Sequence, residues 1–181
     1  MIENNKIQIG DYYFEKYIDC EAIQKRVKEL GKAISKDYEG KEPVILITLK
    51  GAMVFAADLI REIQLPVRIE TIIAKSYGMN IETSGKVNII KNDLNINGED
   101  VIVVEDIIDT GITMAKLLKN LERDKPRSIS VCSLLFKPDK IIEKIDIKYL
   151  GFSIDPLFVI GYGIDYAEQG RNLKDIYIKV K

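Results

Sequence analysis

The chain has 181 residues, 46% of them hydrophobic and 30% charged, the balance of an ordinary globule long enough to bury one sizeable core. Lys plus Arg total 27 against 28 for Asp plus Glu, a net charge of −1, so a mainly electrostatic nucleic-acid binder is not expected. There is no His, which excludes Ser-His-Asp and Cys-His catalysis, His-ligated zinc and the usual neutral-pH base.

Any catalysis must therefore use carboxylates, Lys, Arg, Tyr, backbone amides or a hard metal ion. The two cysteines, Cys20 and Cys132, lie far apart and in no metal spacing, and read as reduced, partly buried thiols. No apolar run reaches the length of a membrane span, and the opening MIENNKIQIG lacks a signal-peptide core. A cytoplasmic protein without a membrane partner is the expectation.

Along the chain, Asp19 is a candidate N-cap for a helix whose apolar face is Ile23, Val27, Leu30 and Ile34. Pro43 precedes Val44 to Leu49, a continuous β-rich run that suits a strand covered on both faces. Ala52, Phe55, Ala56, Leu59 and Ile63 then return to helical spacing, Pro66 stops them, and Val67 to Ala74 reads as another strand. The pattern dissolves in SYGMNIETSGK (76–86), and its length and polarity suit either a plain hairpin or a lid. Strand character resumes at Val87 to Ile90, and Asn97-Gly98 marks a turn. Val101 to Val104 is the second buried strand, ending on Glu105-Asp106; Met114, Leu117, Leu118 and Leu121 follow at helical spacing, and Ser128 to Leu135 is a further strand. The alternation predicts an α/β fold with a mostly parallel sheet and helices on both faces. Tyr149 to Phe152 and Leu157 to Ile160 are expected to form a small flap over the sheet edge.

In open sheets of this kind, ligands bind beyond the carboxyl ends of the strands. Glu105, Asp106 and Asp109 crowd one such end, and like charges that close raise one another's pKa unless a cation, hydroxyl or amide compensates. An Asp-Thr-Gly turn follows and opens a helix. Gly111 permits close backbone approach, Thr110 and Thr113 add hydroxyls, and the helix-start amides make an anion cradle. The sum suits a phosphorylated polyol, with carboxylates accepting from hydroxyls or holding Mg²⁺. The alternative is that Thr110 caps the helix and the acids are solvated loop residues. Lys50-Gly51, at the end of the first buried strand, suits a second anion. A Walker loop and a GxGxxG fingerprint are both missing.

VIVVEDIIDTGIT (101–113) resembles the phosphoribosyl-pyrophosphate motif of type I phosphoribosyltransferases. The likeness to the hypoxanthine-guanine phosphoribosyltransferase family is closer still. It runs in order through Leu49-Lys50-Gly51, Lys75-Ser76-Tyr77-Gly78, the long motif, Ser133 to Lys137 and Phe158 to Tyr166, and ends at Arg171. The resemblance implies a single domain over 1–181, with a mobile lid over about 76–86 and a hood from N-terminal residues and about 138–181. It implies that Glu105 and Asp106 bind the ribose hydroxyls, directly or through Mg²⁺, and that Asp109 is the general base toward a purine ring nitrogen. Asp109, Thr110, Gly111, Ile112 and Thr113 then wrap the ribose phosphate, while Lys50, Gly51 and Arg171 face pyrophosphate, with Leu49-Lys50 as a candidate cis peptide. Ser76 and Tyr77 lie on the lid, and Lys137 donates to the exocyclic oxygen of the base. Phe158 stacks on the purine, Val159 and Asp165 present backbone atoms to its edge, and Asp165 also ligates a second Mg²⁺.

The activity so implied is Mg²⁺-dependent transfer of the phosphoribosyl group to hypoxanthine or guanine, giving IMP or GMP and pyrophosphate, by a homodimer or homotetramer. Two alternatives stand beside it: a regulatory protein on the same fold that binds the phosphorylated sugar or a nucleotide, and a transferase for another base such as uracil or xanthine.

Overall fold

The computed structural model describes residues 6–76, 87–91 and 94–180. Among these residues, three α-helices and ten strands follow one another as β1 (Lys6–Ile9), β2 (Tyr12–Ile18), α1 (Cys20–Asp37), β3 (Val44–Leu49), α2 (Met53–Glu62), β4 (Arg68–Ser76), β5 (Val87–Lys91), β6 (Asp100–Ile108), α3 (Ile112–Leu121), β7 (Ser128–Phe136), β8 (Tyr149–Ser153), β9 (Val159–Ile160) and β10 (Ile176–Val180).

The local signals act as expected. Asp19 caps α1 by accepting the Ala22 amide at 2.8 Å. Ile23, Val27, Leu30 and Ile34 are the buried stripe of that helix. In β3 the side chains alternate between two covered faces, which is why the run is apolar throughout. Ile45 and Ile47 join α1 and α2 in one core, with Ile102 and Val104 of β6. Val44 and Leu46 join α3 in the other, with Val101 and Val103 of β6 and Met114, Leu117 and Leu121 of the helix. Fully burying each such Ile, Leu or Val contributes about 1.5–3 kcal/mol.

The larger sheet has the order β5-β4-β3-β6-β7-β8. Its pairs are parallel except β4 with β5, which is antiparallel. From β3 the chain crosses over through α2 to β4 on one side; from β6 it crosses through α3 to β7 on the other. The carboxyl ends of β3 and β6 therefore flank a topological switch point, where crossovers diverge and leave a crevice.

A second, antiparallel sheet, β1-β2-β10-β9, is built from the two terminal segments and is the expected flap. Its composition differs from the prediction in one element. Tyr149–Ser153 pairs in parallel with β7 and extends the large sheet. The reason is non-local: Arg26 of α1 donates to the carbonyls of Leu150 (2.6 Å from Nη2) and Gly151 (3.0 Å from Nε), holding β8 under that helix. Of the expected lid over 76–86, Ser76 is the last residue of β4, and Tyr77 with the remainder lies outside the described residues. Cys132 is buried and Cys20 partly exposed, both as free thiols. No helix among the described residues is long and apolar enough to cross a membrane.

Candidate active site

β6 runs further than its apolar core. Its pairing with β3 stops at Ile47–Val104, yet it continues beside β7 as far as Ile108–Phe136. Glu105 and Asp106 thus sit on the stretch where β6 has lost one neighbour and borders the crevice. Just below them, Thr48 Oγ donates to the Val104 carbonyl at 2.8 Å and closes the gap between the two strands. Glu105 holds its proton well above the usual carboxylate range, first because it is desolvated and then because Asp106 is beside it.

The Leu49–Lys50 peptide is cis, as the resemblance implies. Gly51 follows directly, and a Cβ there would collide with the Asp106 carboxylate. A residue with a side chain at this position would have to push that carboxylate aside. Gly163 in turn packs on the Gly51 carbonyl, so the Gly161-Tyr162-Gly163 turn rests on the same loop. That turn is anchored by Tyr162, whose buried hydroxyl donates to Asp58 of α2 at 2.6 Å.

Beyond β6, Gly111 is the N-cap of α3 with φ 80°, and no side chain caps the helix. The capping role considered for Thr110 is therefore not the one it plays. Instead its carbonyl accepts the amides of Ile142 (2.9 Å) and Glu143 (3.1 Å), which fixes the turn. The first-turn amides of α3, around Ile112 and Thr113, lack intrahelical partners by construction and have the polarity an anion needs.

Asp109 leads this turn. Lys137, only 5% exposed, points its ammonium at Asp109 Oδ2 from 2.9 Å. A lysine so buried requires a charged partner. Lys140 approaches Asp109 Oδ1 to 3.3 Å, yet that oxygen is buried and accepts no hydrogen bond. One oxygen is thus hydrogen-bonded by Lys137, and the other is enclosed beside the Lys140 ammonium.

On the hood side, Phe158 is 47% exposed and has Phe14 and Tyr166 as ring neighbours, with centroids at 6.3 and 5.8 Å. Val159 is buried in β9, and the Phe158 carbonyl accepts the Lys179 amide at 2.9 Å. Both oxygens of Asp165 are engaged: Oδ1 with Arg171 Nη2 at 2.7 Å and Oδ2 with the Glu168 amide at 2.8 Å. Arg171 also donates to the Gly163 carbonyl at 2.8 Å. Lys50 and Arg171, far apart in sequence, meet through Glu168, whose Oε2 lies 2.9 Å from the Lys50 ammonium.

The structure thus joins Gly51 to Asp106, Lys137 to Asp109, and Lys50 to Arg171. Sequence reasoning missed Lys140 and Glu168. The faint signals for them were a second lysine in Lys137-Pro138-Asp139-Lys140 and an acid three residues ahead of Arg171.

Among the described residues, no group of three or more His, Cys, Asp or Glu side chains is arranged as a closed metal cage. The Glu105–Asp106 pair has a different donor set, one that suits a hard divalent cation held by one or two carboxylates, with water and substrate oxygens completing it. The proton affinity of Glu105 is raised first by burial and then by the neighbouring Asp106 charge, and a cation there would offset both.

A family model described as the phosphoribosyl transferase domain matches residues 15–167. A hypoxanthine-guanine phosphoribosyltransferase of Mycobacterium avium is 43% identical over 166 residues, which cover 88% of this chain and 82% of that one. A crystal structure of a hypoxanthine-guanine phosphoribosyltransferase from Bacillus anthracis superposes with a TM-score of 0.85 at 45% identity, covering 92% of this chain and 97% of the other. A hypoxanthine phosphoribosyltransferase from Staphylococcus aureus gives a TM-score of 0.87 at 38% identity, covering 92% and 91%. The fold and the acidic strand tip define a phosphoribosyltransferase, and the chain belongs to that family, on its hypoxanthine-guanine branch.

Proposed function

We propose that the protein transfers the phosphoribosyl group of phosphoribosyl pyrophosphate to hypoxanthine or guanine, releasing IMP or GMP and pyrophosphate. The observation that carries this reading is the Asp109–Lys137 pair at the mouth of the anion cradle, a partly exposed carboxylate held by a buried ammonium. A nucleobase nitrogen that attacks the anomeric carbon must lose a proton, and without His a carboxylate has to take it. The Asp109 carboxylate is the group for that proton. Lys137 has further N–H donors beyond the one given to Asp109, and one of them suits an exocyclic purine oxygen.

Thr110, Gly111, Ile112 and Thr113 hold the ribose phosphate through hydroxyls and helix-start amides. Glu105 and Asp106 orient the ribose hydroxyls and favour the positive charge that builds on the sugar as its bond to pyrophosphate stretches. They are also the residues that would hold Mg²⁺, whose chemistry there is to neutralise charge on the leaving pyrophosphate. Lys50, Gly51 and Arg171 receive that group. Phe158 offers an exposed ring face for stacking, with the Val159 and Asp165 backbone at the base edge. Asp165 as a second Mg²⁺ ligand has to share its carboxylate with Arg171. Closure of a lid carrying Ser76 and Tyr77 excludes water from the reactive sugar. Self-association as a homodimer or homotetramer completes the proposal.

The test is incubation with phosphoribosyl pyrophosphate, Mg²⁺ and each free base in turn, following pyrophosphate release and nucleotide formation. Turnover with hypoxanthine or guanine is the expected result. Turnover with uracil alone reassigns the base, and tight nucleotide binding without turnover favours the regulatory reading.

A further inference from the structure

Lys50 and Arg171 lie far apart in the sequence, and a carboxylate of the chain itself lies between them. Glu168 Oε2 is 2.9 Å from Lys50 Nζ and 3.5 Å from Arg171 Nη2, so one oxygen faces both cations. The carboxylate is placed by a built turn. Ala167 and Glu168 have φ values of 50° and 64°, in the left-handed region that non-glycine residues seldom occupy. The Glu168 amide is fixed by Asp165 Oδ2 at 2.8 Å. Asp165 and the Gly163 carbonyl also fix the Arg171 guanidinium, at 2.7 and 2.8 Å, so both the cation and the loop that carries the anion share one frame. Lys50 and Glu168 remain 61% and 67% exposed, open to exchange with an incoming ligand.

We infer that Glu168 is a resident counter-anion of the pyrophosphate subsite, which an incoming diphosphate must displace from Lys50 and Arg171. This inference rests on the proposed reading that those two cations take pyrophosphate. Its physical content is a competition for the same N–H donors. A multiply charged diphosphate wins that competition, at an affinity reduced by the ion pair it breaks, and the carboxylate returns when the product leaves. Glu168 is thereby a positioning residue that sets how tightly the diphosphate end is held.

The experiment is calorimetric titration of inorganic pyrophosphate with Mg²⁺ into the full chain, as wild type, Glu168→Gln, Glu168→Ala, Lys50→Met and the Glu168→Gln/Lys50→Met double variant. Both Glu168 variants are expected to tighten pyrophosphate binding about two- to fivefold, the range of one exposed ion pair. In the Lys50→Met background the gain from Glu168→Gln should largely vanish, because the occupied cation is gone. Binding of a nucleoside 5′-monophosphate, which has no diphosphate, should stay unchanged. Equal or weaker pyrophosphate binding by both Glu168 variants overturns the inference. So does the same gain with Lys50→Met or with the monophosphate, since either is a general field effect. Failure of the wild-type chain to bind pyrophosphate removes the subsite reading and the inference together; binding that ignores Glu168 removes the inference alone.

Discussion

Asp100 opens β6 and Glu105 lies near its other end, and the strand treats the two acids in opposite ways. Asp100 is buried, accepts from Ser128 Oγ at 2.6 Å and Arg127 Nη1 at 2.9 Å, and has Lys41 Nζ at 3.6 Å. Burial alone would raise its pKa, but the Ser128 hydroxyl and the charges of Lys41 and Arg127 prevail and hold it below the usual value. Glu105 is also desolvated, yet its nearest charged neighbour is Asp106, and its pKa is pushed well up. The first acid is neutralised by the protein and stabilises the fold. The second awaits compensation from outside, which is what a site for a cation or a polyol requires.

Four substitutions sharpen or break this contrast. Asp109→Asn should lower kcat by about 10²–10⁴-fold, the range for a lost general base, while nucleotide binding survives. Single-turnover kinetics with hypoxanthine check this, and normal turnover would withdraw the base assignment. Gly51→Ala should push the Asp106 carboxylate aside and cost roughly 10²-fold in kcat/KM for phosphoribosyl pyrophosphate, with the melting curve nearly unchanged.

Asp100→Asn should cost about 1–3 kcal/mol in a urea titration while kcat stays at the wild-type level. A depressed folded-state pKa means that the Asp100 contribution is present above the unfolded-state pKa. It is lost as pH falls through the folded value, so the wild type should lose more stability in acid than this variant does. Glu105→Gln is the mirror image. Because the folded-state pKa of Glu105 is raised, its ionised form costs stability once pH exceeds the unfolded-state value, and the cost is complete above the folded one. The variant should gain about 0.5–2 kcal/mol while phosphoribosyl pyrophosphate binds less well. Wild-type affinity for that sugar should also fall on acidification, starting above the pH at which an ordinary carboxylate protonates. An Asp100 variant that loses activity, or a Glu105 variant that loses stability, would erase the distinction between the two strand ends.

The elements that the sequence foretold are those specified by near neighbours in the chain. Asp19 and its four apolar residues define α1 without help from elsewhere, because cap and stripe both act within a few turns. The runs at β3 and β6 are apolar throughout because both faces are covered, and that too is visible locally. The sequence places Tyr149 to Phe152 in the flap because a short strand does not name its partner; Arg26 and the free edge of β7 do. The Glu105-Asp106 and Asp-Thr-Gly signals were legible as a dense local pattern. Lys140 and Glu168 were not, since their partners lie far along the chain at Asp109 and Lys50.

By itself the sequence determined the class of fold, the strand tip that carries the acids, the turn that follows them and the absence of an imidazole base. The tertiary structure alone decided that Gly51 meets Asp106, that Lys137 is buried on Asp109, and that Glu168 stands between Lys50 and Arg171. Periodicity and capping are written into contiguous residues, whereas these contacts exist only because two diverging crossovers bring separate strand ends to one crevice.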